Sequence, residues 1–117
     1  MKLGASTACF YPLETEKALE KVCKLGYKYA EVFMNAPCEL EEPFLKQLNT
    51  IAKDGGTDIV SVHPFSSFME SPCIFTDYQR RFDDFISIYD KTCHAAAVLG
   101  AKYVVIHGAV AHPKIPI

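Results

Sequence analysis

The stretch Asp58-Ile59-Val60-Ser61-Val62-His63-Pro64 decides the fold, and Lys102-Tyr103-Val104-Val105-Ile106-His107-Gly108 repeats its pattern. Each is a short apolar, β-branched run that ends in a histidine followed at once by a chain breaker. A buried parallel strand reads this way when it carries a polar group at its C-terminal end. Neighbouring strands of a sheet stand about 4.8 Å apart. Two such ends side by side would let both imidazoles reach one ligand, metal or substrate.

Upstream lie two further strand-like runs. Lys2-Leu3-Gly4-Ala5-Ser6-Thr7 is short and built from small residues, and Tyr27-Lys28-Tyr29-Ala30-Glu31-Val32-Phe33 is closed by Asn35-Ala36-Pro37. Between them, Ala18, Leu19, Val22, Cys23 and Leu25 recur at helical spacing and predict a helix over 13–25. Early Glu14 and Glu16 and late Lys21 and Lys24 suit its dipole, and Gly26 caps it. Glu41-Glu42-Pro43 opens a second helix with Phe44, Leu45, Leu48, Ile51 and Ala52 as its buried stripe and Gly55-Gly56 as its close.

The segment 65–75 reads as a loop, and Thr76-Asp77-Tyr78-Gln79 has the form of a capping box opening a third helix. That helix places Tyr78, Phe82, Phe85, Ile86, Tyr89, Cys93 and Ala97 on one face and ends at Leu99-Gly100. The final stretch, from Ala111 onward and including His112, has two prolines and no period, which predicts a loop or a frayed end.

Strands alternating with helices imply right-handed βαβ units and a parallel sheet. The expected fold is α/β, a parallel (β/α) half-barrel of four strands and three helices in a single domain, 1–117. Its two outer strands would present unpaired edges, so a homodimer or another half-barrel is the expected partner.

Composition narrows the function classes. With 117 residues, 50% hydrophobic and 22% charged, the chain can bury one core. The formal charge of −2 is scattered, and Arg80-Arg81 is the sole adjacent arginine pair. A nucleic-acid partner, which needs clustered cations, is not favoured. No apolar run approaches the roughly 18 residues a membrane span needs, so a soluble, cytoplasmic protein is expected with no membrane partner. Five cysteines without a Cys-x-x-Cys read as reduced thiols.

The polar residues inside strands are the candidates for chemistry. In a closed α/β barrel the outer face of each strand is dry, so Glu31, His63 and His107 belong on the inner face. Ligands collect at the carboxyl ends of parallel strands, where both histidines fall, with Glu31 one layer deeper or at the rim. Either histidine alone reads equally as a hydrogen-bonded, half-buried residue, and Glu31 as the partner of a lysine at the barrel base. His94 reads as a surface or packing residue. Ser61, Ser66 and Ser67 lack the Gly-x-Ser-x-Gly setting of a nucleophile.

Leu3-Gly4-Ala5-Ser6-Thr7, Leu25-Gly26-Tyr27-Lys28-Tyr29-Ala30-Glu31-Val32, Val60-Ser61-Val62-His63 and Leu99-Gly100-Ala101-Lys102-Tyr103-Val104-Val105-Ile106-His107-Gly108 together resemble the sugar phosphate isomerase/epimerase family. That family belongs to the xylose isomerase-like TIM barrels, which also include endonuclease IV. The resemblance covers the N-terminal half of the barrel domain. It implies that His63 and His107 face a metal and substrate cavity, binding substrate hydroxyls or a divalent metal (Mn, Mg, Co or Zn), with Glu31 at the glutamate position of the second strand.

The implied activity is metal-dependent isomerisation or epimerisation of a small-molecule carbohydrate. The later-strand carboxylates of the family pattern do not occur in this sequence, so these residues alone are expected to be catalytically incomplete. A non-catalytic half-barrel that self-associates is the alternative. A zinc-dependent, endonuclease IV-like phosphodiesterase is the third, opposed by the acidic balance.

Overall fold

In the computed structural model, which describes residues 1–109, four parallel strands form one sheet in the order of the chain. They are β1 (Gly4–Ser6), β2 (Tyr29–Phe33), β3 (Asp58–His63) and β4 (Tyr103–Val104). The α-helices are α1 (Thr15–Lys24), α2 (Glu42–Gly55), α3 (Glu70–Ile74) and α4 (Gln79–Val98), with three short 3-10 turns between elements. The expected tail from Ala111 and His112 lie outside the described residues.

The helices cover one face of the sheet. Ala30, Val32, Ile59 and Val62 are buried there against Leu19 and Val22 of α1, Leu45, Leu48 and Ala52 of α2, and Ala95, Ala96 and Leu99 at the end of α4. The opposite face carries Tyr29, Glu31 and Phe33 of β2 and Ser61 and His63 of β3, all half-buried. A register shift between Ala30 and Glu31 gives β3 one extra residue, Val60, in this pairing. The bulge lets Ile59 join Val62 on the helix side while Ser61 and His63 share the inner side, which strict alternation would not allow.

Several sequence expectations are corrected. The segment 65–75 is not a plain loop: it holds a 3-10 turn and α3, with Glu70 and Cys73 buried. The fourth helix therefore joins the three expected. β4 is shorter than the expected run, although Lys102 N and Val105 N still donate to Val60 and Val62 on β3. His107 consequently lies beyond the strand rather than within it.

The capping box does not close. Thr76 Oγ1 accepts from Tyr78 N at 3.1 Å, Gln79 Nε2 donates instead to Asp83 Oδ1, and α4 starts at Gln79. The α4 stripe also turns along its length. Phe85 and Tyr89 pack with Cys73 of α3, whereas Thr92, Ala95 and Ala96 take the core side further on, leaving Cys93 and Ala97 exposed. Small residues are what a helix needs where it lies close on the sheet and α2. Thr92 satisfies its hydroxyl on Ile88 O.

Candidate functional site

β3 places His63 at the carboxyl edge of the sheet, beside Phe33, its register partner on β2. The two rings stack, with centroids 4.3 Å apart and planes 23° from parallel. His63 Nδ1 lies 3.2 Å from Pro64 O, a carbonyl that can only accept, so the ring's proton belongs on Nδ1 and its Nε2 lone pair is free. That Nε2 points at His107 Nε2, 3.2 Å away, and the rings meet edge to face at 4.8 Å between centroids. The two histidines singled out by the sequence therefore meet atom to atom.

His107 is held from the other side by a residue that the sequence did not mark. Glu70, at the start of α3, is fully buried. Its Oε2 accepts the backbone N–H of His107 at 2.6 Å, and its Oε1 faces His107 Nδ1 at 3.7 Å and accepts the hydroxyl of Tyr89. Burial pushes the Tyr89 phenol up from its ordinary range, and the bond to Glu70 and the charges of Glu70 and Cys93 push the same way.

Glu31 does not join the pair. It sits in the row of Ser6 and Ser61, whose hydroxyls donate to its two oxygens at 3.0 and 3.2 Å. That row is two residues below the row of Phe33 and His63, a step of about 6.6 Å along a strand. Among the described residues two serines, and not a lysine at the barrel base, hold its carboxylate. A cavity of about 940 Å³ opens below this row and is lined by Lys2, Tyr29, Glu31, Asp58 and Lys102. Neither histidine lines it, so it is separate from the rim where they meet.

His94 is exposed on α4 and pairs with Glu42 at 2.9 Å, a surface contact as expected. The five cysteines are free thiols, three of them exposed.

The 3.2 Å separation of the two Nε2 atoms is close to that of two ligands on one cation. Two nitrogens on a tetrahedral zinc with Zn–N bonds of 2.0–2.1 Å stand about 3.3 Å apart. Behind the other nitrogen of His63, Pro64 O lies at hydrogen-bond distance, as an acceptor does behind most metal-bound imidazoles, while Glu70 Oε1 faces that of His107 from 3.7 Å, beyond direct hydrogen-bond reach. Among the described residues no group of three or more His, Cys, Asp or Glu converges on a point, so the pair supplies two positions and no more. Without a cation, one shared proton can join the two Nε2 atoms.

No family model matches the chain. It is 28% identical over 107 residues to an uncharacterized protein of Mycobacterium tuberculosis strain H37Rv, covering 92% of this chain and 35% of that protein. An uncharacterized protein of Mycobacterium leprae is 27% identical over the same coverage. The chain thus spans about a third of the length of the curated relatives it matches. Among solved structures it superposes on D-psicose 3-epimerase in the presence of D-fructose, with a TM-score of 0.66 at 15% identity, covering 87% of this chain and 36% of the epimerase. The fold is that of a TIM barrel, of which the described residues build four adjacent staves.

Proposed function

We propose that the chain is part of a metal-dependent carbohydrate isomerase or epimerase, in which His63 and His107 together hold a divalent cation or the hydroxyls of a sugar. The observation that carries this reading is the 3.2 Å approach of their Nε2 atoms at the carboxyl rim of the sheet. The similarity to a sugar epimerase supports the same reading through the fold. Imidazole pairs suit zinc, copper, iron and nickel better than magnesium or manganese, which favour oxygen ligands. A cation bound there would polarise a carbonyl or hydroxyl oxygen of the substrate.

In this reading Phe33 fixes the plane of His63 by stacking on it. Glu31 supports the site from one row below and keeps Ser6 and Ser61 oriented toward the inner face. Isomerisation also needs a base within reach of the substrate proton and an electrophile for the developing oxyanion. Glu31 is committed to two serines and a row away, so the described residues by themselves are expected to bind and not to turn over.

Calorimetric titration of zinc chloride into the protein tests the pair. H63A and H107A should each weaken binding by about tenfold or more, and the double variant subtracts any binding by exposed thiols. Both single variants binding as tightly as the parent would rule the pair out. Conversion of any aldose or ketose with Mn²⁺, Mg²⁺ or Co²⁺ added would overturn the expectation of no turnover.

The open sheet supports a second reading, a half-barrel that closes on a second copy. Among the described residues β1 pairs only with β2 and β4 only with β3. Light scattering that finds a strict monomer would exclude it.

A further inference from the structure

We propose that Glu70 is the positioning residue for His107, itself oriented by Tyr89, and that this buried carboxylate sets which nitrogen of His107 faces His63. The proposal rests on the reading of His63 and His107 as a ligand-holding pair. It adds a role for a residue of the segment that connects β3 to α4.

A fully buried carboxylate is rare unless it is paired. Among the described residues, the only basic group within ion-pair reach of Glu70 is the His107 ring. No lysine or arginine among the described residues neutralises it, so a lysine or arginine ion pair there does not explain its burial. Its three contacts with described residues all converge on one task. Oε2 accepts the His107 N–H at 2.6 Å, which holds the chain at a point past the end of β4, where the ladder to β3 no longer does. Oε1 accepts from Tyr89, which fixes the carboxylate in the plane that allows the first bond.

The third contact concerns the ring. At 3.7 Å from Nδ1, Oε1 is too distant for a direct hydrogen bond. It is near enough to favour a proton on that nitrogen over a lone pair aimed at a negative oxygen. With the proton on Nδ1, the lone pair of Nε2 faces His63 and any cation between them. His63 reaches the same state through Pro64 O. The two rings are thus biased alike by two different acceptors, one a backbone carbonyl and one a side chain that mutation can change.

Zinc titrations and amide NMR on the full chain test the assignment. E70Q keeps the shape and removes the charge, and should weaken zinc binding by about tenfold, the low end of the effect of losing a hydrogen-bonded partner behind a metal-bound histidine. Y89F should weaken it less. In an H107A background E70Q should change residual binding by less than about twofold, because the effect passes through His107.

Loss of folding stability in E70Q and Y89F with zinc affinity within about twofold of the parent would overturn the proposal, since a merely structural carboxylate behaves that way. If E70Q fails to fold, Y89F decides on the same criterion. If the parent binds no zinc, the reading of the pair fails, and Glu70 is then judged on the His107 amide proton alone. An upfield shift of that signal in Y89F or E70Q sustains its hold on His107, and an unmoved signal ends it.

Discussion

Tyr89 is where a single proton is tied to the fold. Its hydroxyl is buried and donates to a carboxylate, so ionisation would set a phenolate against Glu70 with no water between. The folded-state affinity for that proton is therefore raised above that of the unfolded chain, where tyrosine ionises near pH 10. The stabilisation is complete below about pH 10 and is lost as pH rises beyond it, because the unfolded state then releases a proton that the folded state keeps. Thermal melts from about pH 9 to about pH 11.5 should show the parent losing more stability than Y89F over that interval. A gap between the two that stays constant with pH would sink the assignment. His63 and His107 were legible because each closes an apolar run, a pattern confined to a few adjacent residues. Glu70 was not legible. A lone glutamate in an aperiodic segment reads as solvent-exposed, and its partners lie 19 and 37 residues away in the chain.

Elements were legible where one period holds from end to end. The stripes of α1 and α2 and the alternation of β2 are of this kind, and their buried faces match the spacing except at Leu25, which is exposed just past the end of α1. The longest helix was not, because its spacing admits more than one face. Large residues mark the side toward α3, and the small Ala95 and Ala96 mark the side toward the core. Gly55-Gly56 shows the same limit within two residues. Both read as a helix stop, yet only Gly56 takes the left-handed conformation, with φ of 66°. Gly55 is instead a packing residue: a Cβ there would lie 2.5 Å from Cys23 Cβ on α1. Both carbons are fixed to helix backbones, so G55A must force α1 and α2 apart. Overpacking of this kind costs about 1–3 kcal/mol, against a gain of at most about 1 kcal/mol from alanine in a helix. Urea denaturation should place G55A below the parent in stability by about 1 kcal/mol or more, and a stabilised variant would disprove the contact.

At the scale of the whole molecule, the sheet is covered on one side and half-open on the other. No helix among the described residues is long and apolar enough to cross a membrane, so the open face is not explained by a membrane-spanning helix. Tyr103 on the outer strand is 67% exposed and stands opposite Ser61, on the inner face. Parallel closure of two copies would set β4 of one against β1 of the other, twice, about a two-fold axis along the barrel. Each copy would gain a ladder at both edges, and Tyr103 would pass from solvent into a barrel interior. A lysine there would be carried into that interior, and lysine on an edge strand is also a common block to edge pairing. If the half-barrel closes on itself, the parent should sediment as a dimer at concentrations of about 10 µM and above, in the range of a moderate interface, and Y103K as a monomer with its secondary structure intact. If Y103K and the parent sediment alike as dimers, the contact lies elsewhere on the surface. If both are monomers, the open edges are not joined by a second copy, and self-association is excluded as the reason for the half-barrel's form.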